Sequence, residues 1–145
     1  MFASLLDKKK YKNICIIEKN SKIGAKIKVS GGAKCNITNS FIESSRYLGD
    51  ENFIKEILRK FSKDDLLKFL NSNNIYPKLK ENLVKGAYFC NSSQDVIDMF
   101  SLLTSHVKKF FEHEVLALEA KKDSFLILTN KDKIETKRVV VASGG

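Results

Sequence analysis

An acid that closes an apolar run is the first candidate for chemistry in this chain. Asn13-Ile14-Cys15-Ile16-Ile17-Glu18 has the profile of a strand buried on both faces, as in a parallel sheet, and it ends in a carboxylate. Nucleotide-binding βαβ units place such an acid where it accepts hydrogen bonds from ribose hydroxyls. A strand-terminal Glu also serves as a plain solvated end. The deciding partner is a GxGxxG turn about 20 residues earlier, whose glycines let the backbone approach a pyrophosphate at a helix N-terminus. No GxG occurs in the sequence, and counting back from Glu18 runs past Met1. A second candidate is Ser30-Gly31-Gly32-Ala33-Lys34-Cys35-Asn36. Adjacent glycines permit close approach of backbone to a ligand. Lys26, Lys28 and Lys34 can neutralise phosphate, while Asn36 and Thr38 can hydrogen-bond a polar ring. The pattern is not a Walker loop, and an ordinary mobile loop fits it as well. The third candidate is the terminal VVVASGG, a strand running into small residues, where a sheet's carboxyl edge meets a ligand or simply turns.

Other chemistry is set aside. His106 and His113 have no Ser/Asp partner at triad spacing and no metal-type neighbours, so both read as non-catalytic. Cys15, Cys35 and Cys90 form no CxxC and no zinc spacing. Three unpaired thiols suit a reducing cytoplasm, and Cys15, inside an apolar run, is expected to be buried. Asp64 and Asp65 are expected at a helix N-terminus. No metal site and no catalytic acid or base is assigned.

The elements that must position these residues follow from periodicity. Residues 1–9 read as the end of an amphipathic helix without a cap, and 13–18 as a buried strand. Residues 19–40 form a long loop with a helical turn near Ile23–Ile27. Phe53, Ile54, Ile57, Leu58 and Phe61 predict a helix, and Ser62 with Asp65 predicts a capping box for a second. Pro77 lies in an extended stretch, and 82–90 reads as a strand. Ser92 or Ser93 caps a helix over 94–110, with Val96, Phe100, Leu103, Val107 and Phe110 on one stripe. Residues 112–120, 124–130 and 134–142 are three β-type runs. This order predicts a mixed α/β fold in one domain spanning 1–145.

Composition narrows the class. The chain has 145 residues, the size of one ordinary domain, with no apolar run long enough for a membrane helix and no signal peptide at its start. Lys and Arg total 26 against 17 acids, giving +9. That invites a nucleic-acid reading. Yet only Arg46, Arg59 and Arg138 are arginine, and Arg is the residue favoured for bidentate phosphate and base recognition. Abundant Lys, Asn and Ile have a simpler source in the codon bias of an AT-rich genome, so nucleic acid is not an expected partner.

Taken together, three blocks resemble one family. IIEKNSKIGAKIKVSGGAKCNITNS resembles the second strand and following loop of the HI0933-like flavoproteins, which read LLEKN..LG.KLLISGGGRCN.TN there. GAYFCNSSQDVIDMF resembles that family's GRVFP.S..A.DVVD.L, and VVVASGG its VILATGG. These proteins are FAD-dependent, NAD(P)-linked oxidoreductases with a two-dinucleotide-binding, Rossmann-like fold. The resemblance implies an α/β FAD-binding domain with a parallel sheet, a helical insert and a small β-meander. It implies that Glu18, with Lys19 beside it, binds the ribose of FAD. Gly24, Lys26, Ser30, Gly31 and Gly32 would lie along the cofactor, and Lys34, Cys35 and Asn36 near its flavin end. Val115 would touch the adenine through backbone, and Ala142, Ser143, Gly144 and Gly145 would pack near the pyrophosphate. Ala33 replaces the family's third glycine, Lys34 its arginine, and Ala87 and Cys90 the arginine and proline of GRVFP. The family's first strand, its GxGxxG turn and its substrate domain have no counterpart, so the resemblance implies a single incomplete FAD-binding domain, its remainder absent or separately encoded. The expected function is that of a fragment of an FAD-dependent oxidoreductase with NAD(P)H as electron donor and an unspecified small-molecule substrate. The alternatives are a non-catalytic remnant that binds no cofactor and, after it, a small basic nucleic-acid-binding protein.

Overall fold

The computed structural model describes residues 1–30 and 35–143. It divides into two compact units, one from Met1–Ile23 with Leu103–Gly145 and one from Gly24–Leu102. The class is α/β, with a parallel strand pair, helices and antiparallel meanders.

In the first unit, β1 (Cys15–Glu18) runs parallel to β5 (Lys108–Phe111), in register from Cys15 opposite Lys108 to Glu18 opposite Phe111. The β-branched pair Ile16-Ile17 and the aromatic pair Phe110-Phe111 favour this pleated pairing. β5 is the only partner of β1 among the described residues. The strand is therefore half-buried rather than covered on both faces, and Cys15 is exposed, contrary to expectation. The meander β6 (Val115–Ala120), β7 (Phe125–Thr129) and β8 (Lys133–Thr136) aligns Leu118, Ile127 and Ile134 across three strands, with Ile127 buried. The expected third run is shorter than its sequence suggests. β8 ends at Thr136, residues 138–143 lie in no strand, and Val141 is 75% exposed. A Val-rich run still needs a neighbouring strand for its N–H and C=O groups, and none of the described strands pairs with this one.

The N-terminal helix also stops early. A 3-10 turn covers Phe2–Leu5, and the Asp7 carboxylate then accepts the Lys9 backbone N–H at 2.8 Å. That Asx-type bond competes with helix continuation.

The second unit packs α1 (Ala25–Val29), α2 (Glu51–Lys60), α3 (Lys63–Asn71) and α4 (Ser93–Leu103) with an antiparallel sheet. Its strands are β2 (Asn36–Asn39), β3 (Lys78–Leu79) and β4 (Ala87–Phe89), with β4 in the centre. Asp50 caps α2 by accepting from the Phe53 N–H at 2.7 Å. Ser62 and Asp65 close the expected capping box on α3. The Ser92 hydroxyl accepts the Gln94 N–H at the start of α4. Buried Cys35, Leu70, Ala87, Phe89, Cys90, Val96 and Met99 supply the core. Helix α4 ends at Leu103 rather than 110. Thr104–His106 turn, Val107 N–H donates to the Thr104 carbonyl, and the Lys109 ammonium also donates there. Lys108–Phe111 then join β1, so Phe110 belongs to a strand and not to the helix stripe.

No helix among the described residues is long and apolar enough to cross a membrane.

Candidate functional site

The carboxyl end of the β1–β5 pair gathers several of the expected residues. Glu18 is the last residue of β1. Its Oε1 accepts two hydrogen bonds from Asn20, one from the backbone N–H at 2.9 Å and one from Nδ2 at 2.7 Å. Both bonds fall on one oxygen, which fixes the carboxylate and leaves Oε2 with lone pairs for another donor. Asn20 was not anticipated from sequence. Its signal is the spacing Glu-x-Asn after a strand, since an amide two residues on can fold back over the acid.

The segment after β5 closes against this acid. His113 N–H donates to the Glu18 carbonyl at 3.0 Å, and Glu112 N–H to the Asn20 carbonyl at 3.1 Å. Lys19 reaches Glu114 at 2.6 Å. Both side chains are largely exposed, so this pair contributes little stability, about 0–1 kcal/mol. Val115 follows at once as the first residue of β6, opposite Thr129, with a bulge after it. Glu18, Lys19 and Val115 thus stand at one end of the first unit, beyond the carboxyl ends of its two parallel strands. Ligands of open α/β sheets sit in that position. His113 is fastened there by Nδ1 at 2.6 Å from the Phe111 carbonyl and Nε2 at 2.9 Å from the Asp132 carboxylate. Ala142 and Ser143 belong to the same unit, in the non-strand segment after β8.

The other described site residues belong to the second unit. Gly24 is the residue before α1, its N-cap, with φ +81°, a left-handed conformation that favours glycine. A Cβ there would meet Ile97 Cγ1 of α4 at 2.7 Å. Packing inside this unit therefore accounts for Gly24 without a ligand. Lys26 is exposed on α1, and Ser30 ends that helix by donating to the Lys26 and Ile27 carbonyls. The Ser30 carbonyl accepts from Cys35 N–H at 3.1 Å. Cys35 itself is 4% exposed and packs with Cys90 and Val96, bordered by Ile27, Ile37, Ile75 and Phe100. Burial raises its thiol pKa. Cys90 is pushed up to about 11, first by burial and then by neighbouring Cys35 and Asp95. Both are protonated at neutral pH and therefore poor nucleophiles. Asn36 is exposed at the start of β2, opposite Phe89. Gly31, Gly32, Lys34, Gly144 and Gly145 lie outside the described residues.

A dinucleotide places three demands on such a fold: an acceptor for ribose, close backbone approach for phosphates, and a surface for the rings. Glu18 offers a carboxylate acceptor at the end of a parallel strand, the chemistry the first demand calls for. The strand-to-helix glycine turn that meets the second elsewhere has no counterpart in the sequence.

Comparison with known proteins gives relatives along the whole chain. It is 30% identical over 149 residues to a ribosomal RNA dihydrouridine synthase of Escherichia coli, covering 100% of this chain and 36% of the relative. It is 28% identical over 138 residues to a 3-dehydro-bile acid delta(4,6)-reductase of Clostridium scindens, covering 91% and 32% respectively. A ribosomal RNA dihydrouridine synthase of Haemophilus influenzae is 28% identical over 144 residues, covering 92% and 35%. The chain thus spans about a third of the length of these curated relatives. The model of the HI0933-like protein Rossmann domain matches residues 1–145, and the chain belongs to that family.

Proposed function

We propose that this chain supplies FAD-binding residues to an oxidoreductase, with Glu18 holding the ribose of the cofactor's adenosine half. The observation that carries this reading is the Glu18 carboxylate, fixed through Oε1 by Asn20 at the carboxyl end of a parallel strand, with Oε2 open to a donor. Membership in a Rossmann dinucleotide-binding family with oxidoreductase relatives supports it. Lys19 and Val115 flank the acid and complete the adenosine end. Gly24, Lys26, Ser30, Gly31, Gly32, Lys34, Cys35, Asn36 and Ala142–Gly145 enter as further cofactor contacts on the strength of the family motif alone. Bound FAD would supply reversible hydride acceptance, and the protein's part is to hold and orient it.

The reaction class we propose is reduction of a carbon–carbon double bond conjugated to a carbonyl. A hydride adds to one carbon and a proton to the other, and reduced nicotinamide provides the electron pair. The names of the relatives support this, since a dihydrouridine synthase and a delta(4,6)-reductase both denote saturation of a ring double bond. A substrate within RNA is the second reading, favoured by two relatives named as ribosomal RNA enzymes.

Titration of the purified chain with FAD tests the reading, following flavin fluorescence and protein melting together. Saturable binding with a raised melting temperature is expected. Glu18→Gln removes a charged acceptor and should weaken binding roughly tenfold or more. A folded chain that binds no FAD, or one indifferent to Glu18→Gln, overturns the assignment.

A further inference from the structure

A basic–aromatic cluster in the second unit has no part in the FAD reading. Phe41 follows β2 by two residues and is 40% exposed. The Arg46 guanidinium lies 5.6 Å from the centre of its ring and the Lys85 ammonium 5.8 Å. With Asn39 these residues line an open cavity of about 290 Å³. Several bonds hold the arrangement. Asn39 Oδ1 accepts the Phe41 N–H at 2.8 Å, and its Nδ2 donates to the Lys85 carbonyl at 3.0 Å. Ser40 N–H donates to the Gly86 carbonyl at 2.7 Å. Gly86, at φ +73°, lets the ring rest on bare backbone, because a Cβ there would come within 2.6 Å of Phe41 Cε2. The ring is seated by its supports and not merely stranded at the surface.

The charges around it are poorly balanced. Lys85 has no carboxylate partner among the described residues, and Arg46 has only Glu43 at 4.0 Å, both well exposed. Two cations over one partly exposed ring match an anionic group joined to a planar aromatic one. A nucleotide has both parts, a base able to stack on an aromatic ring and a phosphate able to meet a guanidinium fork. The Lys-rich composition of the chain argued against nucleic acid, but composition is an average. One of the three arginines sits at this aromatic ring. A base must be unpaired to reach an aromatic side chain, so a single strand fits where a duplex does not.

We infer that Phe41, Arg46 and Lys85 form a binding site for a nucleotide of single-stranded RNA, with the base on Phe41 and its phosphate between the two cations. This rests on the RNA reading of the substrate and is independent of FAD binding.

The test is fluorescence anisotropy of the full chain, without FAD, with a labelled mixed-sequence single-stranded RNA 12-mer across a salt series. Phe41→Leu keeps an apolar side chain but no stacking face, and should weaken binding roughly tenfold. Phe41→Tyr should retain affinity, which separates stacking from a folding defect. Arg46→Ala and Lys85→Ala should each flatten the slope of log affinity against log salt, by roughly 0.7 for each phosphate that is no longer neutralised. Lys55→Ala, on exposed α2 and paired with Glu51, should change little. Absence of RNA binding at low salt by a folded chain overturns the inference, as does binding indifferent to Phe41→Leu. NADPH serves as the free-nucleotide arm. If NADPH binds through Phe41 and RNA does not, the site takes a soluble cofactor and the RNA assignment fails. An FAD titration of Phe41→Leu that matches the unmodified chain keeps the result separate from the FAD reading.

Discussion

Three thiols in this chain occupy different environments, and their reactivity should report it. Cys15 is exposed on β1, whereas Cys35 and Cys90 lie in the core of the second unit. In the native chain iodoacetamide should modify Cys15 roughly ten times faster than the other two, since thiolate character and access both govern the rate. Desolvation raises the Cys15 thiol and the charge of Lys108 partly offsets it, so its labelling should still be climbing above pH 9. Mass mapping after a short pulse reads the order, and Cys35 labelled as fast as Cys15 would contradict the packing. Cys90 adds a linkage with a definite sign. Its folded pKa, about 11, lies above the ordinary thiol value, so its contribution is complete below that value and is lost as pH rises through 11. Thermal melts should therefore fall in the alkaline range, and Cys90→Ala should blunt that fall. Gly24 makes a second residue-scale case. Gly24→Ala puts a side chain at φ +81° and against Ile97, at a cost of about 1–3 kcal/mol for the backbone alone. Pairing it with Ile97→Ala should give less than the sum of the two single losses, because the groups touch. Additive losses in denaturant titrations would mean the clash is not what makes the position a glycine.

Helix termini were the most readable elements, because a cap is a local code. Ser62 and Asp65 exchange hydrogen bonds as their spacing predicts, and α3 begins there. Ser62→Ala should destabilise by about 1 kcal/mol. The Ser62 hydroxyl, and after it the Ser62 backbone N–H, hold the Asp65 carboxyl below its ordinary pKa. That contribution is present above the ordinary Asp range and is lost as pH falls through the folded pKa. The gap between Ser62→Ala and the unmodified chain should accordingly narrow in acid melts, and a gap constant from pH 7 to pH 2 would sink the cap assignment. Strands were less readable, because a strand is defined by a partner elsewhere in the chain. Residues 108–110 closed the expected helix over 94–110, with Phe110 on its stripe, yet pairing with β1 took them into the sheet. The Val139–Val141 run has strand composition but no described strand beside it. The same distinction divides the candidate sites. The place of Glu18 at a strand end was legible because the apolar run before it marks the strand. Asn20, which fixes that acid, is an ordinary loop residue until the turn brings its amide back. The Phe41, Arg46 and Lys85 cluster was invisible, since only the antiparallel register of Asn39 opposite Ala87 brings those loops together.

At the scale of the whole molecule, buried apolar residues are unevenly shared. Among the described residues, Cys35, Leu70, Ala87, Phe89, Cys90, Val96 and Met99 belong to the unit Gly24–Leu102, whereas the other unit buries Val107 and Ile127. The Gly24–Leu102 unit is also one continuous stretch of chain. It contains its own sheet, with β4 paired on both sides, and the capped helices α2, α3 and α4. Cooperative unfolding requires a core whose loss exposes enough apolar surface at once, and local caps lower the cost of forming the helices that cover it. The segment 24–102, expressed alone, should therefore melt in a single sigmoidal transition and keep Cys35 and Cys90 protected from alkylation. Phe53 and Ile57 of α2, and Phe61 just after it, are exposed, so the measurement belongs at low protein concentration, with sedimentation to show that the transition is that of a monomer. A gradual melt with both thiols freely alkylated would mean that this core forms only within the longer chain. In that event the nucleotide-site variants must be read in the full chain alone.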